Sequence, residues 1–163
     1  MNTYSQINKN LNTKKNLAYI ELGGVGSLGS INYERLMMSD SKQKLLFRVG
    51  MMYMPLYIKE ITFEGTPIIP IGLYYLYGSK HNIEFGANSA IGYTFDKSGI
   101  DKGFRYVTTT SLGYRFYDNS KNGLSAGLAY LLGLSYYKEN EDYFHAYDSR
   151  IQHWFKLSIG YVF

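Results

Sequence analysis

Apolar residues recur at every second position through most of this chain, in segments of strand length separated by clusters of Gly, Pro, Asn, Asp and Ser. A period of two marks a strand with one apolar and one polar face, and no stretch carries the wider spacing of an amphipathic helix. The clearest segment is the last, Lys156-Leu157-Ser158-Ile159-Gly160-Tyr161-Val162-Phe163, which puts Leu157, Ile159, Tyr161 and Phe163 on one face. Alternation kept to the final residue contrasts with the frayed tail usual in globular domains. It fits a sheet whose last strand closes against its first.

The pattern predicts eight strands. Leu17 to Val25 sets Ala18, Ile20 and Leu22 against Tyr19, Glu21 and Gly23, and Ser30 to Leu36 sets Ile31 and Tyr33 against Asn32 and Glu34. Lys44 to Met54 carries Leu45, Phe47, Val49, Met51 and Tyr53 opposite Arg48 and Gly50. After a loop at Pro55 to Thr66, the fourth strand runs to Tyr77, with Pro67 and Pro70 at its start, where lost ladder hydrogen bonds are more tolerable. The fifth sets Ile83, Phe85, Ala87, Ile91 and Tyr93 against Glu84, Gly86, Asn88 and Gly92. The sixth spans Phe104 to Tyr117 and the seventh Leu124 to Tyr137, and a loop from Lys138 to Arg150 leads into the last. Met1 to Asn16 is a polar segment expected to be flexible, leaving residues 17–163 as the folded domain.

A length of 163 residues suits one domain, and no run reaches the roughly 18 apolar residues of a spanning helix. Eighteen Tyr and seventeen Gly stand against one Trp, three Pro and no Cys. Tyrosine suits places where one end of the ring is dry and the other wet, and glycine suits crowded strands. The absence of cysteine excludes a disulfide framework and thiolate metal sites. The net charge of +4 is spread thinly, with no basic stripe for nucleic acid.

These features together predict an all-β fold, an eight-stranded antiparallel up-and-down transmembrane β-barrel. The connections after the second, fourth and sixth strands are short and polar, while those after the third, fifth and seventh are longer, as a membrane barrel requires. The tight Gly26-Ser27-Leu28-Gly29 turn is the exception. Tyr75, Tyr77, Tyr114, Phe116, Tyr161 and Phe163 fall at one end of the apolar face, and Tyr53, Tyr93, Tyr106 and Tyr136 at the other, forming two aromatic girdles.

On the opposite face, Glu21, Glu34 and Glu84 are matched by Arg48, Arg115 and Lys156. A cation turned to lipid would cost about 2–4 kcal/mol near the bilayer midplane, so these charges are expected inside. A barrel of this size is filled by its own side chains. The expected result is a plug of mutually satisfied charges; exchange of partners would instead make it a gate.

Chemistry is less legible. His145 or His153 with Asp148 and Ser149 could assemble a lipid-facing site, but spacing alone does not give the required geometry, and His81 reads as an interfacial residue. Neither a G-x-S-x-G elbow nor an H-E-x-x-H pair is present. Gly23-Gly24-Val25-Gly26 lacks the helix and lysine of a phosphate loop. No catalytic residue, metal or cofactor is therefore expected.

The opening Tyr19-Ile20-Glu21-Leu22-Gly23-Gly24, the segment Asn32-Tyr33-Glu34-Arg35-Leu36 and the closing Leu157 to Phe163 resemble small outer-membrane β-barrel proteins of Gram-negative bacteria, in the OmpA and OmpX style. The final strand resembles their assembly signal, with a polar residue at Lys156 and aromatics at Tyr161 and Phe163, although Ser158 stands where glycine is common. The resemblance implies an outer-membrane location, with membrane lipid and the barrel-assembly machinery as partners and a monomeric state. Met1 to Asn16 has no apolar signal core, so this location implies a chain that begins near the mature N-terminus or at a misplaced or engineered start. The functional expectation is a structural, surface-exposed, non-enzymatic barrel. Its rivals are a narrow gated pore, a lipid-modifying enzyme at the outer rim and a soluble ligand-binding barrel.

Overall fold

The computed structural model describes residues 16–24, 29–55, 65–94, 103–118, 123–137 and 150–163. They form eight strands: β1 (Asn16–Leu22), β2 (Gly29–Ser39), β3 (Gln43–Pro55), β4 (Gly65–Gly78), β5 (His81–Thr94), β6 (Gly103–Tyr117), β7 (Leu124–Tyr137) and β8 (Arg150–Val162). Each pairs antiparallel with the next, and β1 pairs with β8, so the sheet closes into an up-and-down barrel. Closure removes both sheet edges, which is the physical reason an alternating pattern can persist to the end of the chain.

The predicted faces hold. Glu21, Asn32, Glu34, Arg48, Glu84, Asn88, Arg115 and Lys156 are buried, while Ile20, Ile31, Phe47, Ile71, Phe85, Leu112, Leu128 and Ile159 point outward. The connections 40–42 and 79–80, with residues 118 and 123, lie at one end of the barrel. The strand ends that flank 56–64, 95–102 and 138–149 lie at the other, and those connections are outside the described residues.

Several boundaries differ from the periodicity. β1 ends at Leu22 rather than Val25, because Gly23 takes a φ of 81° and turns the chain. β2 continues past Leu36 to Ser39 through a register shift between Leu36 and Met38. The shift breaks the period and leaves both Met37 and Met38 exposed, which is why alternation alone stops too early. β8 starts at Arg150, the residue expected to end the preceding loop. Pro70 sits inside β4, where the β3–β4 pairing skips from Val49↔Ile71 to Met52↔Ile68, as befits a residue with no N–H.

The interior is layered. Toward the short turns, Leu17, Leu36, Leu46, Leu76, Tyr117 and Val162 pack with Tyr19 and Tyr74. Toward the long connections, Met52, Ile68, Ala90, Val107 and Leu131 pack beneath Trp154. Between them along the strands lie the charged residues, with Arg48 separating Leu46 from Met52 and Lys156 separating Trp154 from Val162.

Candidate functional site

Six charged side chains meet in the middle of the barrel. Glu21, Glu34, Glu84, Arg48, Arg115 and Lys156 are each no more than 1 % exposed, so nearly every polar atom among them must find a protein partner. The parity of their strands turns them inward, and the narrow lumen brings opposite walls within reach of one another.

Arg48 on β3 donates from Nη1 and Nη2 to the two carboxylate oxygens of Glu21 on β1, at 3.1 and 3.0 Å. Its remaining donors go to Asn32 Oδ1 (2.9 Å from Nε, 2.6 Å from Nη2) and to the Tyr74 hydroxyl at 2.6 Å. The planar fork is suited to this two-point contact. Arg115 on β6 divides its fork between two walls, donating from Nε to Glu84 at 2.5 Å and from Nη1 to Glu34 at 2.5 Å. Tyr19 donates its hydroxyl to Glu34 Oε1 at 2.8 Å.

Lys156 on β8 joins these two groups. Its ammonium lies 2.7 Å from Glu84 Oε1 and 3.8 Å from Glu21 Oε2, and it donates to the Tyr74 hydroxyl at 3.2 Å. The Tyr74 ring lies 5.8 Å from the Arg48 guanidinium, 5.0 Å from that of Arg115 and 4.3 Å from the Lys156 ammonium. The electron-rich ring face thus offsets some of the crowding of three cations. Three carboxylates face three cations, and the cluster is formally neutral.

The predicted inward charges are therefore all assembled together. Sequence reasoning missed Tyr74, a tyrosine on the polar parity of its strand, where a dry interior obliges the hydroxyl to pair. It also missed Trp154, whose indole N–H donates to the Gly24 carbonyl and whose ring lies across Gly133. Lys44, the other buried cation among the described residues, stands apart near the short turns and donates to the Gly78 and Ser79 carbonyls and to Asn82. Asn88, Thr109 and Ser111 form a neighbouring polar patch with side-chain atoms that have no protein partner.

On the outside, Tyr75, Tyr77, Tyr114, Tyr161 and Phe163 are exposed toward the short-turn end and Tyr106 toward the other. Phe116 and Tyr93 are half-buried, and the side chains of Tyr53 and Tyr136 are not among those described. Tyr161 and Phe163 stack with ring centres 6.5 Å apart beside the β1–β8 seam. His81 meets the Tyr114 hydroxyl through Nδ1 at 2.5 Å. His153 faces outward beside Tyr130, whereas His145, Asp148 and Ser149 lie outside the described residues. Among the described residues no group of His, Asp and Glu could hold a metal ion.

No family model matches this chain, and no curated protein or solved structure does so either.

Proposed function

We propose that this chain is a transmembrane β-barrel of the bacterial outer membrane, serving as a structural and surface-exposed element rather than an enzyme. The observation that carries the reading is its inverted polarity. Six charged side chains meet inside while large apolar side chains cover the outside of every strand, among them Ile20, Ile31, Val49, Leu73, Ile83, Leu112, Leu132 and Leu157. A water-soluble barrel of similar size would place these the other way round.

Dimensions support the same reading. The outward residues Ile69 to Tyr77 on β4, at about 3.4 Å per residue and a tilt of ~40°, cover roughly 20 Å of height, close to the ~25 Å apolar band of outer-membrane barrels. Exposed aromatics toward both ends would sit at the two membrane interfaces, with membrane lipid as the surrounding partner. The closed sheet offers no pairing edge, in keeping with a monomer. The C-terminal strand with Lys156, Tyr161 and Phe163 would present the signal for the barrel-assembly machinery.

The test is migration on gels with and without heating, after refolding into detergent and into vesicles. The expected outcome is a compact, heat-sensitive band only when detergent or lipid is present. A chain that stays folded and monomeric in plain buffer would overturn the proposal.

A narrow gated pore has one observation in its favour: Lys156 contacts Glu84 and Glu21 together, so partners within reach could exchange. The apolar layers on either side of the charges favour a closed lumen. Planar-bilayer recordings decide between them, since a pore would change conductance on Arg48→Ala or Glu84→Ala and a plug would show none.

A further inference from the structure

We propose that Lys156 is the charge that closes the barrel, by neutralising a central cluster that, among the described residues, strands β1 to β7 leave one positive charge short. Those strands carry Glu21, Glu34 and Glu84 but only Arg48 and Arg115 in the central cluster. Lys44 does not make up the difference, because its ammonium is bound to the Gly78 and Ser79 carbonyls and to Asn82 near the short turns. Until β8 docks, three carboxylates share two guanidiniums.

The geometry places Lys156 where this matters most. The β1–β8 seam is short, running from Leu17↔Val162 to Leu22↔Leu157, whereas β5 and β6 pair from His81↔Phe116 to Thr94↔Gly103. The backbone ladder therefore contributes less at the seam than between β5 and β6. Lys156 spans it by approaching Glu21 on β1 at 3.8 Å, and it also crosses the lumen to Glu84 on β5 at 2.7 Å. Glu84 faces Arg115 on β6 as its other ionic partner. Glu34 on β2, Arg48 on β3, Tyr74 on β4 and Tyr19 on β1 fill the rest of the cluster, and the described interior positions of β7 carry no titratable group.

Docking of the last strand thus completes both the backbone ring and the charge balance. Closure without this lysine would strand an uncompensated carboxylate in a lumen too narrow to solvate it. Closure through another register would displace Lys156 by whole residues and leave the same charge unpaired, so the lysine also selects the pairing. This role depends on the closed barrel alone and stands or falls independently of the surrounding lipid.

The test uses the absence of cysteine from the chain. Ile20 and Ile159 are register partners across the seam and both point outward, so Ile20→Cys with Ile159→Cys reports closure by cross-linking. In that background, refolded in detergent, Lys156→Met should lower the ratio of closed to open chain by roughly a hundredfold or more, the size expected for stranding a buried charge. Glu84→Gln combined with Lys156→Met removes the stranded carboxylate and should restore most of the cross-linking. Closure of Lys156→Met at the level of the parent would overturn the proposal. So would a double variant no better than the single one, because a lysine needed only for its volume gains nothing from Glu84→Gln.

Discussion

Arg115 on β6 and Glu34 on β2, 81 residues apart in sequence, meet across the barrel through contacts of 2.5 and 3.3 Å to the two carboxylate oxygens. Their strands are not neighbours in the sheet, so this contact ties together walls that the backbone ladder does not join. The same guanidinium also holds Glu84 on β5.

Truncating Arg115 should therefore cost more than an ordinary side chain. Arg115→Met leaves Glu34 and Glu84 facing each other with one cation fewer, and the expected loss is about 3–5 kcal/mol. Adding Glu34→Gln alone should recover most of it, because two carboxylates then face two cations and Glu84 keeps its contact with Lys156. Urea unfolding in detergent micelles, followed by the fluorescence of the single Trp154, measures both steps.

The outward face should be intolerant of charge near its middle. Leu128 projects outward from β7, and Leu128→Arg is expected to lower folding into vesicles by about 2–4 kcal/mol if that face meets hydrocarbon. The measured quantity is the heat-sensitive fraction as a function of denaturant. An unchanged midpoint would place this residue outside the bilayer.

Thr109 offers a test of the opposite sign. Its hydroxyl is buried and has no protein partner, so Thr109→Val keeps the shape and removes an unpaired polar group, raising stability by about 1 kcal/mol. Tyr19→Phe, which removes the hydroxyl bound to Glu34, should lower it by about 1.5–3 kcal/mol. A fall on Thr109→Val would mean that the hydroxyl is satisfied by bound water.

The seam has little room to spare. A Cβ at Gly160 would lie 2.4 Å from the Ala18 carbonyl oxygen and 2.3 Å from Tyr19 Cβ. Gly160→Ala should therefore push β1 and β8 apart and destabilise the barrel by roughly 1–3 kcal/mol. Faster hydrogen exchange at β1 and β8 amides, with β5 and β6 little changed, is the expected signature.

Much of this architecture is legible in the sequence. Side chains alternate strictly along a strand, so the position of Glu21, Glu34, Arg48, Glu84, Arg115 and Lys156 relative to the apolar residues assigned all six to the inner face. Composition and alternation together required a sheet with one dry and one polar side. They failed where the period itself breaks, at the shift between Leu36 and Met38, and where a residue joins the interior against its usual habit, as Tyr74 does.

The sequence by itself determined which face each side chain takes, because the pleat has a period of two and apolar residues follow it. Only the tertiary structure decided who meets whom. Partnership across a lumen depends on strand tilt, on stagger and on the register in which β1 meets β8, and these are properties of the closed ring. That is why Lys156 could be read as inward from its neighbours Leu157 and Phe155, while its contacts with Glu84 and Glu21 emerge only once the ring is closed.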